Sequence, residues 1–308
     1  MTTPGPLLET RIGDLVLKNP VMTASGTFAY GAEFAPYVDL NDLGAVVVKG
    51  ISLEPRQGNP PPRTAETPCG MVNAIGLENV GLERFLADKL PYLRRFDVPV
   101  VVNVLGRQVD DYVRLAGALS EAGGVSAIEL NVSCPNVKSG GQTFGVDPEA
   151  VNALVAAVRP AASIPLWVKL TPLVTDIVII GRAAQEAGAD AVCVGNTFPA
   201  MAIDVHRRKP KLGNVVGGLS GPAIRPIMVR LCWLLARSLD IPVIGIGGVM
   251  CADDALEYLL AGARAVQVGT ANFVDPRTTV SIVEGLRKYL AEQGVGRVDE
   301  IVGQLRLE

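Results

Sequence analysis

The sequence predicts a (β/α)₈ barrel, one domain running over residues 1–308. Three observations carry that reading. Eight short strand-like runs alternate with amphipathic stretches of helix length. The runs are apolar throughout rather than alternating with polar residues, as strands covered on both faces should be. One junction also recurs: a helical stretch, a turn containing glycine, then a β-branched run.

The junction is clearest in Asn41-Asp42-Leu43-Gly44-Ala45-Val46-Val47-Val48, in Glu186-Ala187-Gly188-Ala189-Asp190-Ala191-Val192-Cys193 and in Ala261-Gly262-Ala263-Arg264-Ala265-Val266-Gln267-Val268, with a looser form over Glu121–Leu130. Glycine supplies the left-handed residue that ends a helix before the chain enters a strand. Strands are expected near Val21–Ala24, Ala45–Val48, Val100–Val104, Ala127–Asn131, Leu166–Leu170, Ala191–Gly195, Val243–Ile246 and Ala265–Gly269. Helices are expected near Val109–Ala122, Pro148–Arg159, Ile177–Ala187, Pro222–Ser238, Ala252–Leu260 and Thr278–Glu292, with Pro148 and Pro222 in first turns, where a missing N–H costs nothing. A doubly wound open sheet is the alternative on pattern alone. No composition break or charged linker marks a second domain. Two insertions, Ile51–Pro68 and Phe198–Ser220, are long enough to be lids or ligand loops.

Composition narrows the function class. The chain is 49% hydrophobic and 19% charged with a net charge of −3, which is globular and gives no electrostatic footprint for nucleic acid. The first twenty residues are broken by Pro4, Pro6, Arg11 and Asp14, so neither a signal peptide nor a membrane span is expected there. Five scattered cysteines without a C-x-x-C pair argue against a disulfide framework, a zinc site or an iron–sulfur cluster within the chain, and a reducing cytoplasm is the expected location.

Polar residues recur where a barrel keeps its chemistry, at the C-terminal ends of the strands. Ser25 follows the first strand and Lys49 the second; Asn103 lies in the third and Asn131 ends the fourth. Lys169 sits near the end of the fifth, Asn196-Thr197 follow the sixth, Gly247-Gly248 the seventh and Gly269-Thr270 the eighth. The two glycine turns suit a phosphate cradled by backbone N–H groups, against the plainer reading of a tight turn. Lys49 and Lys169 have apolar flanks, so each should face an anion or an electron-rich group. A Schiff-base role for one of them stays open, as in a flavin-free phosphate-binding barrel lyase. Cys193 and Cys232 read as inert buried thiols, and the single histidine, His206, lies in a basic segment that reads as surface or lid.

The segment Asn131-Val132-Ser133-Cys134-Pro135-Asn136-Val137-Lys138 resembles the catalytic loop of class 1 dihydroorotate dehydrogenases. So do Val48-Lys49-Gly50 with Leu53–Pro60, and Asn73-Ala74-Ile75-Gly76-Leu77 is similar to the family's substrate loop. The resemblance runs from about Leu8 to Leu286, and the Lys138-Ser139-Gly140-Gly141 continuation and Glu54–Pro60 resemble the NAD-linked subtype, class 1B.

That resemblance implies an FMN-binding barrel oxidising dihydroorotate to orotate in pyrimidine biosynthesis, with a proton leaving C5, a hydride passing from C6 to flavin N5, and Cys134 as the base. It places FMN contacts at Ser25, Lys49, Gly50, Asn103, Asn131, Lys169, Gly195, Gly221, Gly247, Gly248, Gly269 and Thr270. Substrate contacts fall on Lys49, Asn73, Ala74, Ile75, Gly76, Leu77, Asn131, Asn136, Asn196 and Thr197. Asparagine suits a cyclic imide, because one short side chain offers both a donor and an acceptor. A thiol, ordinarily near pKa 8.5, is a workable base at neutral pH. The subtype implies a homodimer core joined to a separate subunit carrying FAD and a [2Fe–2S] cluster, which passes electrons to NAD⁺ within a heterotetramer. Neither a cysteine cluster nor a dinucleotide fingerprint is present in this chain to do that work. A fumarate-linked class 1A enzyme and a dihydropyrimidine dehydrogenase-like enzyme are the rival flavoenzymes.

Overall fold

The computed structural model describes residues 5–133 and 144–307. Eight parallel strands form one sheet: β1 (Val21–Thr23), β2 (Val46–Ile51), β3 (Val100–Val104), β4 (Ala127–Asn131), β5 (Leu166–Leu170), β6 (Ala191–Val194), β7 (Val243–Ile246) and β8 (Ala265–Val268). Their order around the sheet is β1-β8-β7-β6-β5-β4-β3-β2. The remaining seam, between β1 and β2, is closed differently. Thr23 N donates to Ala45 O at 3.3 Å, and beyond that point the Thr23 hydroxyl takes over. It accepts from Val47 N at 2.9 Å and donates to Val47 O at 3.1 Å, so a side chain completes the ladder that a short β1 leaves unfinished. The sheet is therefore a barrel, not the open doubly wound alternative.

Each strand is buried on both faces. Outward residues such as Val46, Val102, Ile128, Val168 and Val192 join the main apolar layer beneath the helices. Inward residues Met22, Ala45, Val47, Val101, Ala127, Trp167, Ala191, Ile244 and Ala265 fill the lower barrel. A hairpin, Thr10–Ile12 with Leu15–Leu17, stoppers the N-terminal end by driving Ile12 and Leu17 fully into that layer. Burial of each is worth about 1.5–3 kcal/mol. The hairpin has no strand signal in sequence beyond two three-residue runs, and sequence reading misses it.

The expected helices form at Val109–Glu121, Pro148–Val158, Ile177–Glu186, Arg225–Ala236, Ala252–Leu260 and Thr278–Glu292. Asp147 and Asp176 cap two of them by accepting from Glu149 N and Val178 N. Pro222 opens a short 3₁₀ turn, Pro222–Ile224, rather than the helix itself. An unexpected helical stretch covers 81–93, passing through a π turn at Phe85–Lys89 before Leu90–Leu93. Pro91, which cannot donate to the preceding turn, sits just after that irregularity. No helix among the described residues is long and apolar enough to cross a membrane.

The two insertions are not irregular loops. Thr64–Thr67, Gly70–Asn73, Phe198–Met201 and Val216–Ser220 pair into one antiparallel four-stranded sheet, with Val216–Ser220 bonded to both Phe198–Met201 and Gly70–Asn73. Ala65, Val72, Ala74 and Leu212 form its small core. The pairing joins segments far apart in sequence, one of them rich in glycine, so neither half signals it alone.

Candidate active site

Two residues above the apolar floor, the inward positions turn polar: Asn103 on β3, Glu129 on β4, Lys169 on β5 and Gln267 on β8, all buried. Glu129 is 0% exposed. Both its oxygens accept hydrogen bonds, Oε1 from Asn103 Nδ2 at 2.6 Å and Oε2 from Gln267 Nε2 at 2.6 Å. Lys169 Nζ lies 3.7 Å from Oε1 and donates to Ser25 Oγ at 3.1 Å. A buried carboxylate needs such partners. The expectation that the strands are apolar throughout is corrected here. Glu129 and Gln267 each interrupt an apolar run at an inward position near a strand end, and that interruption was the available signal.

Cys193 lies beside this cluster, with Gln267 Nε2 3.9 Å from its sulfur. Burial, reinforced by the charge of Glu129, pushes its thiol well above the ordinary range. Burial alone pushes the Cys232 thiol up to about 12, so both buried thiols are inert near neutrality.

Above the polar layer opens a cavity of about 460 Å³, a size suited to a small molecule or cofactor. Its wall is contributed strand by strand: Ser25 after β1, Lys49 and Gly50 on β2, Asn103, Asn131, Lys169, then Gly195, Asn196 and Thr197 after β6. Gly221, Gly247, Gly248, Gly269 and Thr270 line the far side, and Asn73, Ala74, Ile75, Gly76 and Leu77 come down from the antiparallel sheet. Cys134 and Asn136 lie outside the described residues. His206 is exposed on a turn and lines none of this cavity.

Several of these side chains are oriented by the backbone. Asn131 Oδ1 accepts from Ser133 N at 3.1 Å, and Asn196 Oδ1 accepts from Thr197 N at 2.8 Å. Asn73 Nδ2 donates to Gly218 O at 3.2 Å, tying the descending loop to the sheet. Thr270 Oγ1 donates to Ser220 Oγ at 2.8 Å, linking the turn after β8 to the end of the antiparallel sheet.

The glycine turn after β7 is built to stay open. Gly247 and Gly248 have φ of 124° and 69°, where other residues are strained. A Cβ on Gly248 would lie 2.6 Å from Arg225 Cβ and 2.9 Å from Gly221 O. Tyr258 Oη donates to Gly247 O at 2.7 Å, and Asp254 Oδ2 accepts from Met250 N and Cys251 N, which fixes the turn from beneath.

The Pro-rich insertion braces the descending loop. Ala74 N donates to Arg63 O at 2.7 Å, and Asn59 donates to Ala74 O and Ile75 O at 3.1 and 3.0 Å. Arg63 also pairs with Glu78, which in turn lies beside Lys49. Glu78 lines the cavity and was not singled out in the sequence.

A parallel barrel whose C-terminal mouth gathers two lysines, a set of asparagines and glycine turns in one cavity defines an α/β-barrel enzyme acting on a small polar molecule. The chain belongs to the dihydroorotate dehydrogenase family, whose profile, described as "Dihydroorotate dehydrogenase", matches residues 7–290. It is 52% identical over 301 residues to a protein of Thermodesulfovibrio yellowstonii named "Dihydroorotate dehydrogenase B (NAD(+)), catalytic subunit", covering 98% of this chain and 99% of that one. Proteins of the same name from Trichlorobacter lovleyi and Desulforudis audaxviator are 54% and 55% identical, covering 97% and 95% of this chain and 99% and 95% of theirs.

Proposed function

We propose that this chain is the substrate-oxidising subunit of an NAD-linked dihydroorotate dehydrogenase, a single barrel domain that holds FMN and oxidises dihydroorotate to orotate. The observation that supports this reading best is the meeting, in one cavity, of Lys49, Lys169 and the asparagines with the glycine turns after β7 and β8. The residues fit the cofactor. Gly247 and Gly248 form a positive-φ turn on the cavity wall, packed too closely on Met228 and Arg225 to admit a Cβ and suited to offering backbone to a phosphate, while Lys169, Ser25 and Asn103 offer a cation and hydrogen-bonding groups to a polar ring edge.

Bound FMN supplies a two-electron acceptor. The chain's own residues do the rest. Lys49 faces the substrate carboxylate, and Asn73, Asn131, Asn136 and Asn196 bind the ring's alternating N–H and carbonyl edges. Cys134 Sγ takes the proton from C5. The antiparallel sheet covers the mouth and limits water access. The relatives' name, "catalytic subunit", supports a partner, proposed to carry FAD and a [2Fe–2S] cluster in a heterotetramer built on a dimer of this chain.

Anaerobic titration of the purified chain with dihydroorotate, following loss of flavin absorbance, tests the reading. Stoichiometric bleaching by dihydroorotate, none by dihydrouracil, and poor reduction of NAD⁺ by the isolated chain are expected. A colourless protein, bleaching that ignores the carboxylate, or turnover with fumarate would overturn it.

A further inference from the structure

Glu129 itself has no part in that chemistry. Its carboxylate is fully buried, yet it lies one layer below the cavity and does not line it. It accepts from the amides of Asn103 on the adjacent strand and Gln267 across the barrel, and stands 3.7 Å from the ammonium of Lys169, which does line the cavity. Gln267 commits its amide to Glu129 while its own Oε1 is left buried without a hydrogen-bond partner. An orphaned carbonyl in a barrel interior is costly, so the arrangement serves the carboxylate rather than Gln267.

Two consequences follow for the groups above. An acceptor-only carboxylate forces the amide of Asn103 to turn its Nδ2 inward, leaving Oδ1 on the side of Gly50, where a Cβ would come within 2.8 Å of it. Asn103 is thereby presented to the cavity as an acceptor. The negative charge also offsets the positive charge of Lys169 at short range, in surroundings that screen charge poorly.

We propose that Glu129 is a positioning residue that orients Asn103 and moderates the positive field that Lys169 exerts on the bound flavin. This rests on the reading of the cavity as an FMN site. A purely structural ion pair would affect folding stability and leave the flavin's electronic properties alone.

The probe is sulfite, which adds reversibly to oxidised flavin and leaves negative charge on the ring, so an unopposed cation tightens it. In the FMN-loaded chain, Glu129→Gln is expected to lower the sulfite dissociation constant by about tenfold, the order expected for one charge removed from a partly screened interior below the ring. The flavin midpoint potential should rise in parallel. Lys169→Met alone should weaken sulfite binding, and in that background the Glu129 substitution should still tighten it, because the two charges act on the ring additively and with opposite sign. Glu129→Asp, which keeps the charge but withdraws it by one methylene, should move in the same direction by less, and it serves if the glutamine variant does not fold. Wild-type sulfite affinity and potential in a folded Glu129 variant would overturn the proposal, as would a shift of the same sign in Lys169→Met alone. Failure of the wild-type chain to bind FMN would instead remove the functional reading beneath it.

Discussion

Lys49 Nζ lies 3.6 Å from Glu78 Oε2, and the same oxygen accepts from Arg63 Nη1 at 2.7 Å. One carboxylate thus ties the second barrel strand to the descending loop while competing for the lysine proposed to hold the substrate carboxylate. Glu78 is about half exposed, so solvent screens each pair to about 0.2–1 kcal/mol. Glu78→Gln keeps an acceptor for Arg63 and removes the competing charge. Orotate should bind about two- to fivefold more tightly by flavin-perturbation titration. Weaker binding would mean that the brace matters more than the competition.

The hydroxyl of Thr23 holds the barrel seam. Thr23→Val keeps the shape but strands Val47 N and O in a buried place, at a cost of about 2 kcal/mol. Thr23→Ser should retain most of that. Urea unfolding of the three proteins measures the difference, and an unaltered midpoint in the valine variant would refute the side-chain closure.

Gly248→Ala introduces a Cβ where φ is 69° and Arg225 is 2.6 Å away. The turn must shift, so the purified variant should carry well under one FMN per chain. The ratio of flavin to protein absorbance reads this directly, and full occupancy would argue that the phosphate lies elsewhere.

Cys134→Ala should retain FMN and orotate yet lose most dihydroorotate oxidation, and Cys134→Ser should be slower near neutral pH because a hydroxyl is a far weaker base. Stopped-flow flavin reduction decides it. A near-normal rate in the alanine variant would reassign the proton acceptor.

The buried thiols bear on alkaline stability. Folding holds Cys232 protonated up to about 12 and raises Cys193 well above its ordinary value of 9, in both cases chiefly through burial. Above about pH 9 the unfolded chain therefore releases protons that the folded chain retains, and stability falls as pH rises from there toward 12. Cys232→Ala should flatten that decline in denaturant midpoints measured from pH 8 to 11. An equally steep decline would place its origin elsewhere.

Sequence reading located the eight barrel strands within a few residues and found the six longer helices, because those signals are local. Apolar runs of five residues, a glycine at a helix end and a proline in a first turn such as Pro148 act within one turn of chain. The candidate site residues at strand ends were legible for the same reason, since a lysine closing a valine run is visible without knowing what it faces. The stretch 81–93 was not, because Pro91 disguises its helical period.

Taken alone, the sequence determined the barrel, its family and the polar groups at its mouth. Tertiary structure alone decided three further things: that Gly70–Asn73 joins strands from Ile51–Pro68 and Phe198–Ser220 into one sheet, that Thr23 closes the seam, and that Glu129 and Gln267 meet beneath Lys169. Each is a hydrogen bond or ion pair between residues remote along the chain. Periodicity and propensity register only neighbours, and a buried carboxylate declares its purpose only once the strands that carry its partners have closed around it.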